Sequence, residues 1–367
     1  MHLMNLTHLA ALLSVARIAL AVAAPPATAA VPVIYCTDLF HPHDDPDDHF
    51  DLAALYALPG LDLKVIVLDQ GAKQQQKPGS VPVSQLNRLT GRQVPFALGL
   101  GQPLESPTDG ALNQPAEYQA GVQIILKTLR ESPGPVMIAS VGSVRDMVAA
   151  FNREPALFRA KVGRLLVFIG EASDPTFKEY NVALDLQAYV GLMRSGLPVW
   201  WVPCFDGGVG QNRGHASFWK ASHRDLLQNA SPAVIQYFIY ALEHEKADPL
   251  LFLSERVDAG CEERLLKGER NLWCTALFGV LAWPPAQTGN DLFGFTPVEL
   301  TVADDATIRY AAGPDARKVM RFEIRDPARY AAEMTRKTAG VLQQLGTPEA
   351  GTNTRMPTLP RPPDPKP

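Results

Sequence analysis

Val33-Ile-Tyr-Cys-Thr-Asp38 and, nine residues on, Asp47-Asp48-His-Phe-Asp-Leu-Ala-Ala-Leu55 decide the fold. The first stretch is an unbroken apolar run that closes on an acid. Continuous rather than alternating hydrophobicity is the mark of a strand buried on both faces, as in a parallel sheet. The second opens with two acids, which suit the positive end of a helix, and continues with helix formers over residues 48–58. A buried strand, a polar loop and a helix are the first half of a βαβ unit.

Working outward, the same grammar repeats. Short apolar runs at residues 63–68, 94–98, 136–139, 165–169 and 199–202 read as strands, and residues 117–130, 144–152 and 185–194 as helices. Strand and helix in series predict right-handed crossovers and an α/β fold: a doubly wound, mostly parallel sheet with helices on both faces. After Asp206 the pattern is more helical, with amphipathic stretches at 232–244 and 271–281. Strands follow at 298–302, 308–311 and 319–324, and a closing helix at 327–345 has proline near its start, as helices favour. The domain spans 31–346. Residues 347–367 hold seven prolines and no periodicity, so they read as a disordered tail.

The N-terminus reads differently. Residues 18–24 are small and apolar, Arg17 precedes them, and Ala27-Thr28-Ala29 fits a small-x-small cleavage site. Residues 1–30 are therefore expected to be a signal peptide, and the mature protein periplasmic or secreted. No other stretch approaches the ~20 apolar residues of a membrane span. A net charge of −4 and a pI near 6.1 leave no basic patch for nucleic acid. None of the four cysteines forms a C-x-x-C pair, which argues against structural zinc. Cys36 and Cys204 end apolar strands and read as buried thiols, while Cys261 and Cys274 could pair in an oxidising compartment.

In an open parallel sheet, ligands bind beyond the carboxyl ends of the strands. Those ends carry Thr37-Asp38, Asp69-Gln70-Gly71, Ser140-Val141-Gly142, Gly170-Glu171 and Phe205-Asp206-Gly207-Gly208. The densest stretch runs from Asp38 to Asp51, where six aspartates and three histidines fall within fourteen residues. Helix capping accounts for one or two of these acids, not six. Crowded carboxylates repel unless a cation neutralises them, and their hard oxygens suit Ca²⁺ or Mg²⁺, with zinc a weaker alternative. Asp51, on the helix body, is expected to lie outside such a site.

Over residues 31 to 345 the chain resembles the inosine-uridine-preferring nucleoside hydrolase family. That family opens with a strand ending Asp-x-Asp, then x-Gly-x-Asp-Asp and a helix, matched in two halves by Asp38 and by Asp47-Asp48. Pro135 to Asp146 resembles its strand-Thr-Gly-Pro-Leu-Thr-Asn segment, and Leu165 to Gly170 its strand ending Met-Gly-Gly. Glu179-Tyr-Asn181-Val-Ala-Leu-Asp185 is similar to its Glu-Phe-Asn-x-x-x-Asp signature.

The resemblance implies a hydrolase of ribosyl N-glycosidic bonds acting on a nucleoside or other small ribosyl substrate, and it allows a homo-oligomer. It implies that Asp38 binds Ca²⁺ and takes a proton from the attacking water. It likewise implies Asp48 and the Val141 carbonyl as further metal ligands, and Asp47, Glu179 and Asn181 as holders of the ribose hydroxyls. Activated water, an anionic site beside an oxocarbenium-like centre and acceptors for vicinal hydroxyls are what such a hydrolysis needs.

The departures are equally specific. Cys36 replaces the first Asp of the opening motif, and six extra residues separate Asp38 from Asp47. Ala72 stands where an Asn is usual, and the family's late His-Asp pair is unmatched near Asn271-Leu-Trp-Cys-Thr275. Either Asp44 or Asp45 of the insertion replaces that missing metal ligand or the metal site is weakened. His215 and His223 are candidates for the absent leaving-group acid. Trp200 and Trp201 read as core, Trp219 and Trp273 as rim aromatics. Three rivals stay open: a sugar-binding protein that has lost turnover, a metal-free glycosidase built on two carboxylates, and an interaction protein with a merely solvated acid loop.

Overall fold

The computed structural model describes residues 30–42, 47–273 and 291–346. The leader, the tail, Asp44, Asp45 and Cys274 lie outside the described residues, and with them the proposed Cys261–Cys274 pairing.

Nine strands form one sheet. In chain order they are β1 (Val31–Thr37), β2 (Leu61–Leu68), β3 (Phe96–Leu98), β4 (Val136–Ser140), β5 (Val162–Phe168), β6 (Val199–Val202), β9 (Phe293–Val302), β10 (Ile308–Tyr310) and β11 (Arg317–Ile324). A separate antiparallel pair joins β7 (Trp219–Ser222) to β8 (Glu269–Leu272). The order across the large sheet is β10-β9-β11-β6-β5-β4-β1-β2-β3. All neighbours pair in parallel except β9, which runs against both β10 and β11.

Period-two alternation sends the strands' side chains to two cores. Val33 and Tyr35 of β1 pack on one face with helices α1 (Asp47–Ala57), α3 (Ser80–Thr90), α10 (Pro232–Leu242) and α13 (Pro327–Gln344). Ile34 and Cys36 face the other, against α4 (Ala120–Glu131), α5 (Arg145–Arg153) and α8 (Leu186–Arg194). The doubly wound reading thus holds, and no helix among the described residues is long and apolar enough to cross a membrane.

Three expectations need correction. Residues 71–90, to which the sequence pattern assigns no element, contain α2 (Gly71–Gln76) and α3. The stretch from Asn271 continues β8 instead of starting a helix, because its backbone pairs with β7, Trp219 opposite the buried Leu272; residues 274–281 lie outside the described residues. Trp219 is core rather than rim. Trp201 is core as expected, its indole N–H donating to the Ile169 carbonyl at 2.7 Å.

Candidate active site

The chain lays β1, β2 and β3 outward in one direction, then returns to place β4 on the other side of β1. The sheet order therefore reverses between β1 and β4, and the crevice beyond that point is where such folds bind ligands. Asp38 follows β1 and Val141 follows β4, one on each lip. A cavity of about 320 Å³ opens there. Asp38, Asp47, Asp48, Val141, Glu179 and Asn181 all line it, so the six positions singled out from sequence meet in one place.

Local chemistry explains how each arrives. Thr37 is wholly buried; its hydroxyl donates to Asp48 Oδ2 at 3.1 Å and accepts from the Leu39 amide at 3.1 Å, which couples the end of β1 to the start of α1. Asp69, after β2, accepts from the Gln70 and Ser143 amides, both at 2.7 Å, and so joins the β2 and β4 lips. Gly142 makes that approach possible: a Cβ there would lie 2.7 Å from Asp69 Oδ2 and 3.1 Å from the Asp38 amide nitrogen.

Glu179 and Asn181 meet the cavity by a route that differs from an extended segment. Glu179 is the N-cap of a short helix, α7 (Tyr180–Leu184), and its carboxyl accepts from the amides of Asn181 and Val182. It also accepts from Gly170 at 2.8 Å. The Asn181 amide group donates to the carbonyls of Val141 at 3.1 Å and Phe168 at 3.2 Å, pinning α7 to the ends of β4 and β5. The Val141 carbonyl thus has one lone pair engaged and one left.

Burial dominates the electrostatics. Asp38 and Asp48 are both nearly inaccessible and share a hydrogen bond. Burial, and after it the nearby Asp69, pushes the Asp38 carboxyl up to about 6. Asp48 is raised well above the usual carboxylate range by burial and by repulsion from Asp38, Asp47 and Asp51. Burial likewise lifts Glu179 to about 7. A shared proton relieves the repulsion between two such buried carboxyls, and a hard cation could take over that role. The donor set fits Ca²⁺ in kind. In number it is short: among the described residues no group of three or more His, Cys, Asp and Glu side chains surrounds a common point.

The rest of the lining is largely aromatic: Phe168, Tyr180, Phe205 and Trp273, together with Cys204. Phe205 and Trp273 meet edge to face at 6.1 Å, and the Trp273 indole donates to the Cys204 carbonyl at 3.0 Å. Trp273 is thus at the site, as expected of a rim aromatic. Tyr180 stands 55% exposed at the mouth. The Cys204 thiol hydrogen-bonds to Glu179, and burial holds it protonated.

The remaining candidates separate cleanly. His223 is buried, its Nδ1 against the Leu265 carbonyl at 2.9 Å and its Nε2 accepting from Arg270 at 2.9 Å. Burial lowers it to about 4, and it does not line the cavity. His215 is different: its Nδ1 meets the buried Asp206 at 2.9 Å, leaving Nε2 uncommitted by that bond, and Ser173 donates to the other Asp206 oxygen at 2.7 Å. Asp51 does not line the cavity, and it is wholly buried along with the rest of residues 48–56 of α1.

No family model matches the chain. It is 30% identical over 189 residues to a pyrimidine-specific ribonucleoside hydrolase of Citrobacter koseri, an alignment covering 46% of this chain and 59% of the relative. A protein of the same description from Salmonella arizonae is 29% identical over the same length. The chain thus spans 59% of the length of the curated relatives it matches. Among solved structures it resembles a purine-preferring ribonucleoside hydrolase from Gardnerella vaginalis (TM-score 0.51, 17% identity, 85% of this chain and 99% of that one). It also resembles an inosine-uridine-preferring nucleoside hydrolase from Bacillus anthracis (TM-score 0.51, 12% identity, 84% and 99%). At these identities the structural likeness speaks for the fold.

Proposed function

We propose, from the premise that this chain is a divergent member of the nucleoside-hydrolase family, that it hydrolyses the N-glycosidic bond between a ribosyl group and a planar base. One observation carries the reading: acids for a sugar and aromatic side chains for a base line one cavity at the sheet's switch point. Asp47 and Asn181 bind ribose hydroxyls. Glu179, with three backbone N–H groups and the Cys204 thiol already on its carboxyl, lines the cavity but mainly holds α7. Asp38 accepts a proton from water, the water oxygen bonds to the anomeric carbon, and the carbon–nitrogen bond breaks with its electron pair leaving on the base. The base takes its proton from solvent; His215, held by Asp206, does not line the cavity.

Asp38, Asp48 and the Val141 carbonyl would hold Ca²⁺, which when bound would acidify a water and neutralise the two acids. Incubation with inosine and with uridine, followed by chromatography of the released base, tests the activity. Base release that ends on chelation and returns with Ca²⁺ is expected. No release, with ribose nonetheless bound, would instead support a binding protein that has lost turnover. Asn181→Ala is expected to weaken ribose binding roughly tenfold, the loss of about one good hydrogen bond to a buried group, by calorimetry. Unchanged affinity would remove Asn181 from the sugar site.

Export belongs to the same proposal, on the strength of Arg17, the apolar run and Ala27-Thr28-Ala29. Protein from the native host is expected to begin near Ala30 and to fractionate outside the cytoplasm. An intact mass that retains Met1 would refute it.

A further inference from the structure

We propose that Arg145 and Asp185 form a positioning clasp for α7, so that affinity for the sugar depends on an ion pair that does not line the cavity. Arg145 opens α5, four residues beyond Val141. Its Nε donates to Asp185 Oδ2 at 2.8 Å, its Nη2 to the Leu184 carbonyl at 2.8 Å and its Nη1 to the Leu100 carbonyl at 3.1 Å. Asp185 in turn accepts from the Ala188 amide at 2.8 Å and the Leu104 amide at 2.9 Å. Both side chains are almost fully buried, 3% and 0% exposed.

The need for such a clasp follows from the helix it serves. With five residues, α7 has too few internal hydrogen bonds to hold itself in place. Its N-terminus is tied by the Glu179 cap and by Asn181. Its C-terminal end is tied by Arg145, which reaches the last carbonyl of the helix and the residue after it. A planar guanidinium with donors fixed in a fork suits this, since it fixes direction as well as distance. Three segments are locked together: the loop after β3, the start of α5 and the end of α7. The side chains that α7 sends to the cavity are thereby held against the β4 lip.

The clasp rests on the ribosyl reading above, so its test needs a second readout. In the full chain, Arg145→Leu, Arg145→Lys and Asp185→Asn are compared with wild type in melting temperature, calorimetric affinity for D-ribose and amide exchange of residues 181–184. Misplacement of binding groups by a fraction of an ångström costs about tenfold or more. Arg145→Leu is expected to weaken ribose binding about tenfold and to speed exchange in α7 while β1 amides stay protected. Arg145→Lys, which keeps one donor, should recover part of both. If Arg145→Leu does not fold, Asp185→Asn, which conserves shape and one acceptor oxygen, decides the matter. A folded variant with wild-type ribose affinity, even with a lower melting temperature, overturns the proposal, as does unchanged exchange in α7. A wild-type protein that binds no ribose defeats the ribosyl reading instead, and α7 exchange then still decides the clasp.

Discussion

Asp48→Ala is expected to abolish both Ca²⁺-dependent stabilisation and hydrolysis while leaving the fold intact. Asp48 stands at the second position of α1, buried, hydrogen-bonded by Thr37 and by Asp38. In the absence of a cation its charge is a burden, since burial and three neighbouring carboxyls all oppose ionisation. Removing it therefore relieves repulsion in the free protein and takes away a ligand from the loaded one. Wild type at a Ca²⁺ concentration about a hundred times Kd should gain about 2.7 kcal/mol, and the variant nothing. Loss of a preorganised charge contact costs roughly 10²–10³-fold in rate. Glu117→Ala, an exposed acid outside the cavity, is the control; Asp51 cannot serve, because it is wholly buried. Thermal melts with and without millimolar Ca²⁺ check the premise. A wild-type melting temperature indifferent to Ca²⁺ would retire the metal mechanism and favour a binding protein.

How far the residues alone reach can be judged position by position. The central strands β1, β4 and β6 are apolar runs, and β2 and β5 end in one, so the sheet class was legible. The site was partly legible because a doubly wound sheet sends its strand ends to one edge: that rule brings Asp38 and Val141 together, whereas Glu179 and Asn181 came from the resemblance to the Glu-Phe-Asn-x-x-x-Asp signature. Helix α2 was not, since Gly71 to Gln76 is rich in glutamine and carries no apolar period, nor was α3, whose first turn holds Val81-Pro82-Val83, β-branched residues around a proline. Nor was the cap at Glu179, because glutamate is an unusual N-cap and the Gly170 amide it binds is fixed only by tertiary structure. The Asp206–His215 pair spans nine residues of glycine-rich loop, a separation from which no contact could be read. Asp69 and Asp146 each supply a single acid to the strand-end loops, which gives no local signal of their burial.

Asp146→Asn is expected to stabilise the protein above neutral pH, with no gain in acid. Asp146 is buried at the second position of α5. Its Oδ1 accepts from the Leu100 amide at 3.0 Å, whereas its Oδ2 has no hydrogen-bond partner. Backbone presses on it from the loop after β3, for a Cβ on Gly99 would lie 2.2 Å from Oδ2. Burial, and then Asp69, push the carboxyl from 3.8 up to about 7. The folded state therefore holds a proton that the unfolded state gives up near pH 4. Stability from this group is complete below about pH 4 and is lost as pH rises through about 7. At about 1.4 kcal/mol per pKa unit, the full loss is on the order of 4 kcal/mol. Asparagine keeps an oxygen for the Leu100 amide and carries no charge at any pH, and it is the residue found at this place in the family's segment. The variant and wild type should thus melt alike at pH 4 and diverge by several degrees at pH 8. Because all other titrating groups are common to both proteins, their difference isolates Asp146. A difference that does not grow between pH 4 and pH 8 would mean that Asp146 is solvated or ion-paired in solution.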